Sequence, residues 1–202
     1  NILPVNLDAI KKFMIEKNVY HKLNDYIKAS GDLAVKLYKE DIEAALRTKD
    51  FGGFELLSLS DYTGQSTATV GILDVFYESK GLISPDEFKN FAGEAVPLFK
   101  AKRIFKNTDT LEAELDLYDF SEKKINNPVY NLTIQNGEQV FYKTATTESK
   151  VSIPLNSITK STMLSVTLEV NGYKNTWRIF VFAENKIENN IRMIKSEEEL
   201  YD

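Results

Sequence analysis

Four polar side chains within one six-residue stretch could do chemistry: Ser60, Asp61, Tyr62 and Gln65, in the segment SDYTGQ. A carboxylate accepts from hydroxyls, an amide both donates and accepts, and a tyrosine ring offers an apolar face. Together they suit the vicinal hydroxyls of a sugar. The residues just before them, Phe54, Leu56, Leu57 and Leu59, read as a short buried strand of parallel-sheet character. In α/β sheets and barrels, ligands bind where such strands end. The same residues also suit a solvated turn, with Asp61 capping it and Gln65 held by backbone. Thr63 and Gly64 shape the loop and carry no chemistry of their own.

Other chemistries are excluded by what is missing. A retaining glycosidase needs two carboxyl groups roughly 5 Å apart. Glu55 and Asp61 lie six positions apart along one strand and loop, and a strand rises about 3.3 Å per residue. They are not a catalytic pair. Ser58, Ser60 and Ser66 have no histidine in the motif to act as base. Zero cysteines and the single His21 leave no disulfide framework and no histidine or cysteine pair for zinc. The acidic groups Asp86-Glu87 and Glu197 to Glu199 lack the alternating ligand spacing of a calcium loop and match the positive ends of helices instead. No metal and no cofactor are expected.

The elements that must position the loop begin with helices. Leu7, Ile10, Phe13 and Met14 recur at helical spacing after Asn6, a plausible cap. Ser30-Gly31-Asp32 predicts a break, after which Leu33, Leu37, Ile42, Ala45 and Leu46 form a second stripe ending near Thr48. Beyond the loop, Val70, Leu73, Phe76 and Tyr77 predict a helix over 69–78, stopped by Lys80-Gly81. Ser84-Pro85-Asp86-Glu87 supplies the cap, first-turn proline and acidic first turn of another helix, with Phe88 and Phe91 as its buried face.

Near Pro97 the period changes to two. Residues 111–117, LEAELDL, alternate apolar and acidic side chains as a half-buried strand. Strand-like runs follow at 129–135, 139–144, 150–153, 163–170 and 173–182, with Asn136-Gly137 and Asn171-Gly172 as hairpin turns. Adding 102–105 gives about seven strands in roughly 85 residues, the count and spacing of an immunoglobulin-like sandwich. Trp177 and Phe180 belong to its core or rim, or Trp177 serves as a sugar platform. Residues 191–194 and 196–200 predict a new strand and a capped helix start, the beginning of a further domain.

The stretch GGFELLSLSDYTGQSTATVGILDVFYESKGLISPDEF resembles the last strand, loop and helix of the catalytic barrel in bacterial glycoside hydrolases of family 2, relatives of β-galactosidase. The positions carrying the resemblance are Asp61, Tyr62, Gly64-Gln65, residues 69–79, Lys80-Gly81 and Pro85-Asp86-Glu87-Phe88. YKEDIEAALRT, residues 38–48, fits the helix packed outside that barrel. The resemblance implies an α+β chain: the carboxy-terminal remnant of a (β/α)8 barrel over 1–100, an immunoglobulin-like β-sandwich over 101–185, and a linker and domain start over 186–202. It implies a retaining β-glycosidase of β-galactoside type as the parent protein, periplasmic or secreted, whose two catalytic glutamates lie outside this chain. Nothing here matches the nucleophile segment of that family. The remaining domains of the parent and a carbohydrate substrate are then the expected partners. A non-catalytic carbohydrate-binding or structural module is the alternative.

Composition supports a folded chain. With 202 residues and 43% hydrophobic content it can bury one or two cores. Thirty acidic residues against 25 basic ones, a net charge of −5, repel a phosphate backbone and argue against nucleic acid. The longest apolar runs, such as 179–183, are far shorter than the roughly 20 residues of a membrane-spanning helix.

Overall fold

In the computed structural model, which describes residues 5–62 and 69–184, the helices come first and the strands follow. Helix α1 spans Val5–Glu16 and α2 spans Leu23–Arg47, with a 3-10 turn at Tyr20–Lys22 between them. The chain leaves α1 through Asn18, whose φ of 53° is left-handed. Val19 N donates to Met14 O at 2.9 Å and Asn18 N to Ile15 O at 2.9 Å, closing the helix end in a Schellman arrangement.

The break predicted at Ser30-Gly31-Asp32 does not occur, since α2 runs through it. Gly31 is there for a different reason. A Cβ at that position would lie 2.3 Å from Leu82 Cδ2, so the missing side chain leaves room for the Leu82 side chain just before the next helix. Helix α3, Pro85–Ala92, forms as expected: Ser84 Oγ accepts from Glu87 N at 3.2 Å, and Glu87 Oε2 accepts from Ser84 N at 3.0 Å.

Two further expectations are corrected. Residues 54–59 form no strand, and Phe54, Leu57 and Leu59 are exposed. The sole ladder contact at their end, among the described residues, is a single parallel bridge between Ser60 and Leu73. A short apolar run needs a pairing edge on each side to become a buried strand, and one bridge does not provide it. Nor do residues 69–78 form a helix. Val70, Ile72 and Val75 are β-branched and Gly71 interrupts them, all unfavourable in a helix interior. Instead the segment folds back on itself. Asp74 Oδ1 accepts from Phe76 N at 2.8 Å and Glu78 N at 2.9 Å, and Leu73 bridges Ser79 in the antiparallel sense.

The strands are β1 Ala95–Lys100, β2 Ile104–Lys106, β3 Thr110–Asp119, β4 Tyr130–Asn136, β5 Gln139–Thr146, β6 Lys150–Pro154, β7 Thr162–Val170 and β8 Tyr173–Phe182. They form a three-stranded sheet in the order β1-β3-β6 and a five-stranded sheet in the order β2-β8-β7-β4-β5. All pairs are antiparallel except β2 with β8. Inward residues of both sheets make one core: Phe99, Leu111 and Leu115 from the first meet Leu132, Val166, Trp177 and Ile179 from the second. The chain is thus α+β, two sheets facing one another across a shared core with helices beside them.

Strand β1 joins the two parts. It lies on the amino-terminal side of the expected boundary at residue 100, yet pairs with β3 from Ala95↔Asp119 to Lys100↔Glu114. Its alternation sends Phe99 into the sandwich core, while Val96 and Leu98 pack with Ile42 and Leu46 of α2 and Phe91 of α3. Pro97 is accommodated because β1 is an edge strand, where a missing N–H breaks no central ladder.

Candidate functional site

The loop around Asp61 is built by contacts from distant parts of its own segment. Leu73 N donates to Leu59 O and Asp61 N donates to Leu73 O, each at 3.0 Å, which lays residues 59–61 against 71–73. The approach is close: a Cβ on Gly71 would lie 2.3 Å from the Ser60 carbonyl carbon and 2.5 Å from Asp61 N. Only glycine fits there without backbone displacement. Ile72 is buried, and Tyr38 Oη donates to Val70 O at 3.0 Å, tying the loop to α2.

Asp61 closes this arrangement. Its Oδ1 accepts from Gly71 N at 2.9 Å and from the Lys80 ammonium at 2.7 Å. Lys80 also donates to Gly71 O at 2.9 Å. Asp61 therefore has a structural task, and its side-chain bonds among the described residues all go to Oδ1. Tyr62 is exposed and Ser60 half-buried beside it. Gln65, with Thr63, Gly64 and Ser66, lies outside the described residues, as do the strand and helix start expected at 191–194 and 196–200. Of Ser60, Asp61 and Tyr62, only Tyr62 stands at the surface; the Asp61 side chain is largely covered by its partners. Glu55 is exposed and takes no part. No group of three or more His, Cys, Asp or Glu side chains that could hold a metal occurs among the described residues.

A second polar cluster was missed by reading the sequence. Glu43 of α2 is 0% exposed, with its carboxylate at the junction of helices and sheets. It accepts from Trp177 Nε1 at 2.9 Å and Asn175 Nδ2 at 2.8 Å, pairs with Arg47 at 3.2 Å, and is gripped by the Lys39 ammonium. Asn175 also donates to Pro97 O at 3.0 Å, so one amide bridges β8, β1 and α2. Lys39 sits 4.8 Å from the centre of the Trp177 ring. Burial pushes the Lys39 ammonium below its usual range, opposed by the attraction of Glu43. The arrangement is a satisfied charge knot rather than acid/base machinery, because each carboxylate oxygen is already taken. Trp177 is only 4% exposed and is no sugar platform, whereas Phe180 stands at the surface.

The sequence cue for this cluster was the spacing Lys39, Glu43, Arg47. Charges four apart ordinarily mark a solvated helix face.

Among the described residues, no helix is long and apolar enough to cross a membrane. Residues 109–183, from just before β3 to just past the end of β8, match the model of a family described as a domain of unknown function, DUF8488. No curated protein matches the chain.

Proposed function

We propose that this chain is the closing part of a retaining β-glycosidase: the end of a (β/α)8 barrel followed by an immunoglobulin-like sandwich, in a periplasmic or secreted parent whose catalytic glutamates lie on other segments. The observation that carries this reading is the distribution of exposed apolar side chains. Around the Asp61 loop, Phe51, Phe54, Leu57, Phe76 and Tyr77 all face outward, Leu57 at 91% and Phe76 at 79% exposure. Leu7, Ile10 and Phe13 of α1 and Leu33 and Leu37 of α2 are exposed as well. A self-sufficient module would bury such side chains, since large exposed apolar surface marks a place where something else packs. Missing barrel strands and helices are the cover this reading supplies.

The strand order supports the second half of the proposal. Sheets β1-β3-β6 and β2-β8-β7-β4-β5, with β2 parallel to the last strand, have the division of an immunoglobulin-like sandwich. In the parent, Ser60, Asp61 and Tyr62 belong to the substrate pocket, with Asp61 the residue that meets sugar.

The test is kinetic and is made on the parent protein with aryl β-glycosides. Asp61→Ala lowers kcat/KM roughly tenfold or more, as expected for losing a hydrogen bond to a charged group. Lys80→Met, which breaks the same clamp from its other side, lowers the melting temperature and spares kcat/KM. Absence of β-glycosidase turnover in the parent, or equal kinetic behaviour of the two variants, overturns the reading.

A further inference from the structure

On the far side of the charge knot, α2 and the outer face of β7 and β8 enclose an open groove of about 580 Å³. That is within the range of small-molecule sites. Its walls carry an excess of positive charge in a chain whose net charge is −5. Lys36 and Arg178 are exposed and make no ion pair among the described residues. Arg103 enters from the segment before β2, and only its Nη2 is engaged, by Glu40 at 3.2 Å. Its Nη1 is sealed from solvent and finds no acceptor among the described residues. A nitrogen closed to solvent is also closed to a ligand, so Arg103 adds positive charge to the wall through the exposed part of its side chain rather than a free donor.

The rest of the groove has the character of a site for a polyhydroxyl body. Ser165 and Thr176 place hydroxyl side chains on the same sheet face, and Phe180 offers an apolar surface that is 42% exposed. Lys39 borders the groove but is held by Glu43, so it contributes field rather than a free donor.

We propose that this groove binds an acidic sugar, a uronate or a sugar phosphate. Its oxyanion is received by Arg178 and Lys36 in the positive field of Arg103, and its ring lies over Phe180 within reach of Ser165 and Thr176. The groove shares no lining residue with the Asp61 loop and is independent of the glycosidase reading: a parent without glycosidase activity leaves it standing.

The chain as it is can be titrated calorimetrically with glucuronate and glucose 6-phosphate, and with glucose and inorganic phosphate as controls. Saturable binding of at least one acidic sugar is expected, with glucose and inorganic phosphate each weaker by roughly tenfold or more, because each supplies only half of the contacts. Arg178→Ala, at an exposed position, keeps the circular dichroism spectrum and melting temperature and weakens binding by roughly tenfold. Lys36→Ala weakens it less, and added salt weakens it further. No saturable binding of either acidic sugar, glucose binding as tightly as glucuronate, inorganic phosphate binding as tightly as glucose 6-phosphate, or a folded Arg178→Ala variant with unchanged affinity overturns the proposal. A uronate preference over the phosphate ester identifies a carboxylate ligand, and the reverse preference a phosphorylated one.

Discussion

The sandwich and the helical part meet along β1, but they treat apolar residues in opposite ways. From β3 to β8 nearly every inward position is closed: Leu111, Leu115, Leu132, Ile134, Leu164, Val166, Leu168, Ile179 and Val181 share one core. Before β1, helix α1 buries only Met14, and α2 buries Ile42, Glu43 and Leu46 near its carboxy-terminal end. The sheets satisfy their own hydrophobic pattern, because each strand's inner face meets the opposing sheet. The helices present stripes with the right spacing and too few partners. A periodic pattern reports what an element can bury, not whether the chain in hand supplies the other surface.

The charge knot is where the two parts are joined most tightly, so it gives the largest expected effect. Glu43→Ala leaves Lys39 and Arg47 without their carboxylate and strips Trp177 Nε1 and Asn175 Nδ2 of an acceptor. Breaking a buried ion pair from one side costs about 3 to 5 kcal/mol. Urea unfolding of the chain, followed by the fluorescence of its single tryptophan, measures this directly. A midpoint unchanged from the parent sequence would mean that the helical part rests on the sandwich without stabilising it.

A pair of leucines separates the two regions more finely. Leu132→Ala, in the centre of the sandwich, is expected to cost about 2 to 5 kcal/mol through lost burial and the cavity left behind. Leu57→Ala, at the exposed loop, is expected to stay within about 0.5 kcal/mol in this chain. In the parent protein the same Leu57 substitution should lower the melting temperature if barrel segments cover it. Equal, near-zero effects in both settings would show that the exposed apolar surface is not covered there.

These differences also explain what was legible in the sequence. The strands after β1 could be read because their signals are local: alternation in LEAELDL, and Asn171-Gly172 with φ of 50° and 86°, the paired positive values of a tight hairpin turn. Strand β1 could not, because AVPLFK is apolar on both faces and shows no alternation. The capping box at Ser84 and Glu87 is equally local. The Asp61 loop was only half legible. Its polar residues are obvious, but the fold of 69–80 depends on a glycine that admits the backbone of Ser60 and on Lys80 reaching back 19 positions to Asp61. The charge knot was invisible, because Glu43 meets partners 132 and 134 positions away. Nothing in a helix sequence distinguishes a solvated i, i+4 ladder from one buried against a tryptophan.

The smallest expected effect compares one carboxylate in each region. Hydrogen bonds from the Ser84 backbone N–H and then its hydroxyl hold the Glu87 carboxyl below its usual range. The Ser121 hydroxyl, followed by the Ile125 backbone N–H, does the same for Asp119 at the end of β3. A depressed carboxyl pKa contributes stability that is present above the unfolded-state value and is lost as pH falls through the folded-state value. Both groups are solvent-accessible, so the effect is local opening rather than global unfolding. Amide exchange in α3 and in residues 119–125 should therefore accelerate, relative to the intrinsic rate, as pH falls below about 4. Ser84→Ala should weaken the acid sensitivity in α3 alone, the backbone N–H bond to Glu87 remaining, and Ser121→Ala should weaken it more strongly in the turn after β3 alone. If either substitution alters both regions together, the helical part and the sandwich open as one cooperative unit, and the contrast between them is confined to their surfaces.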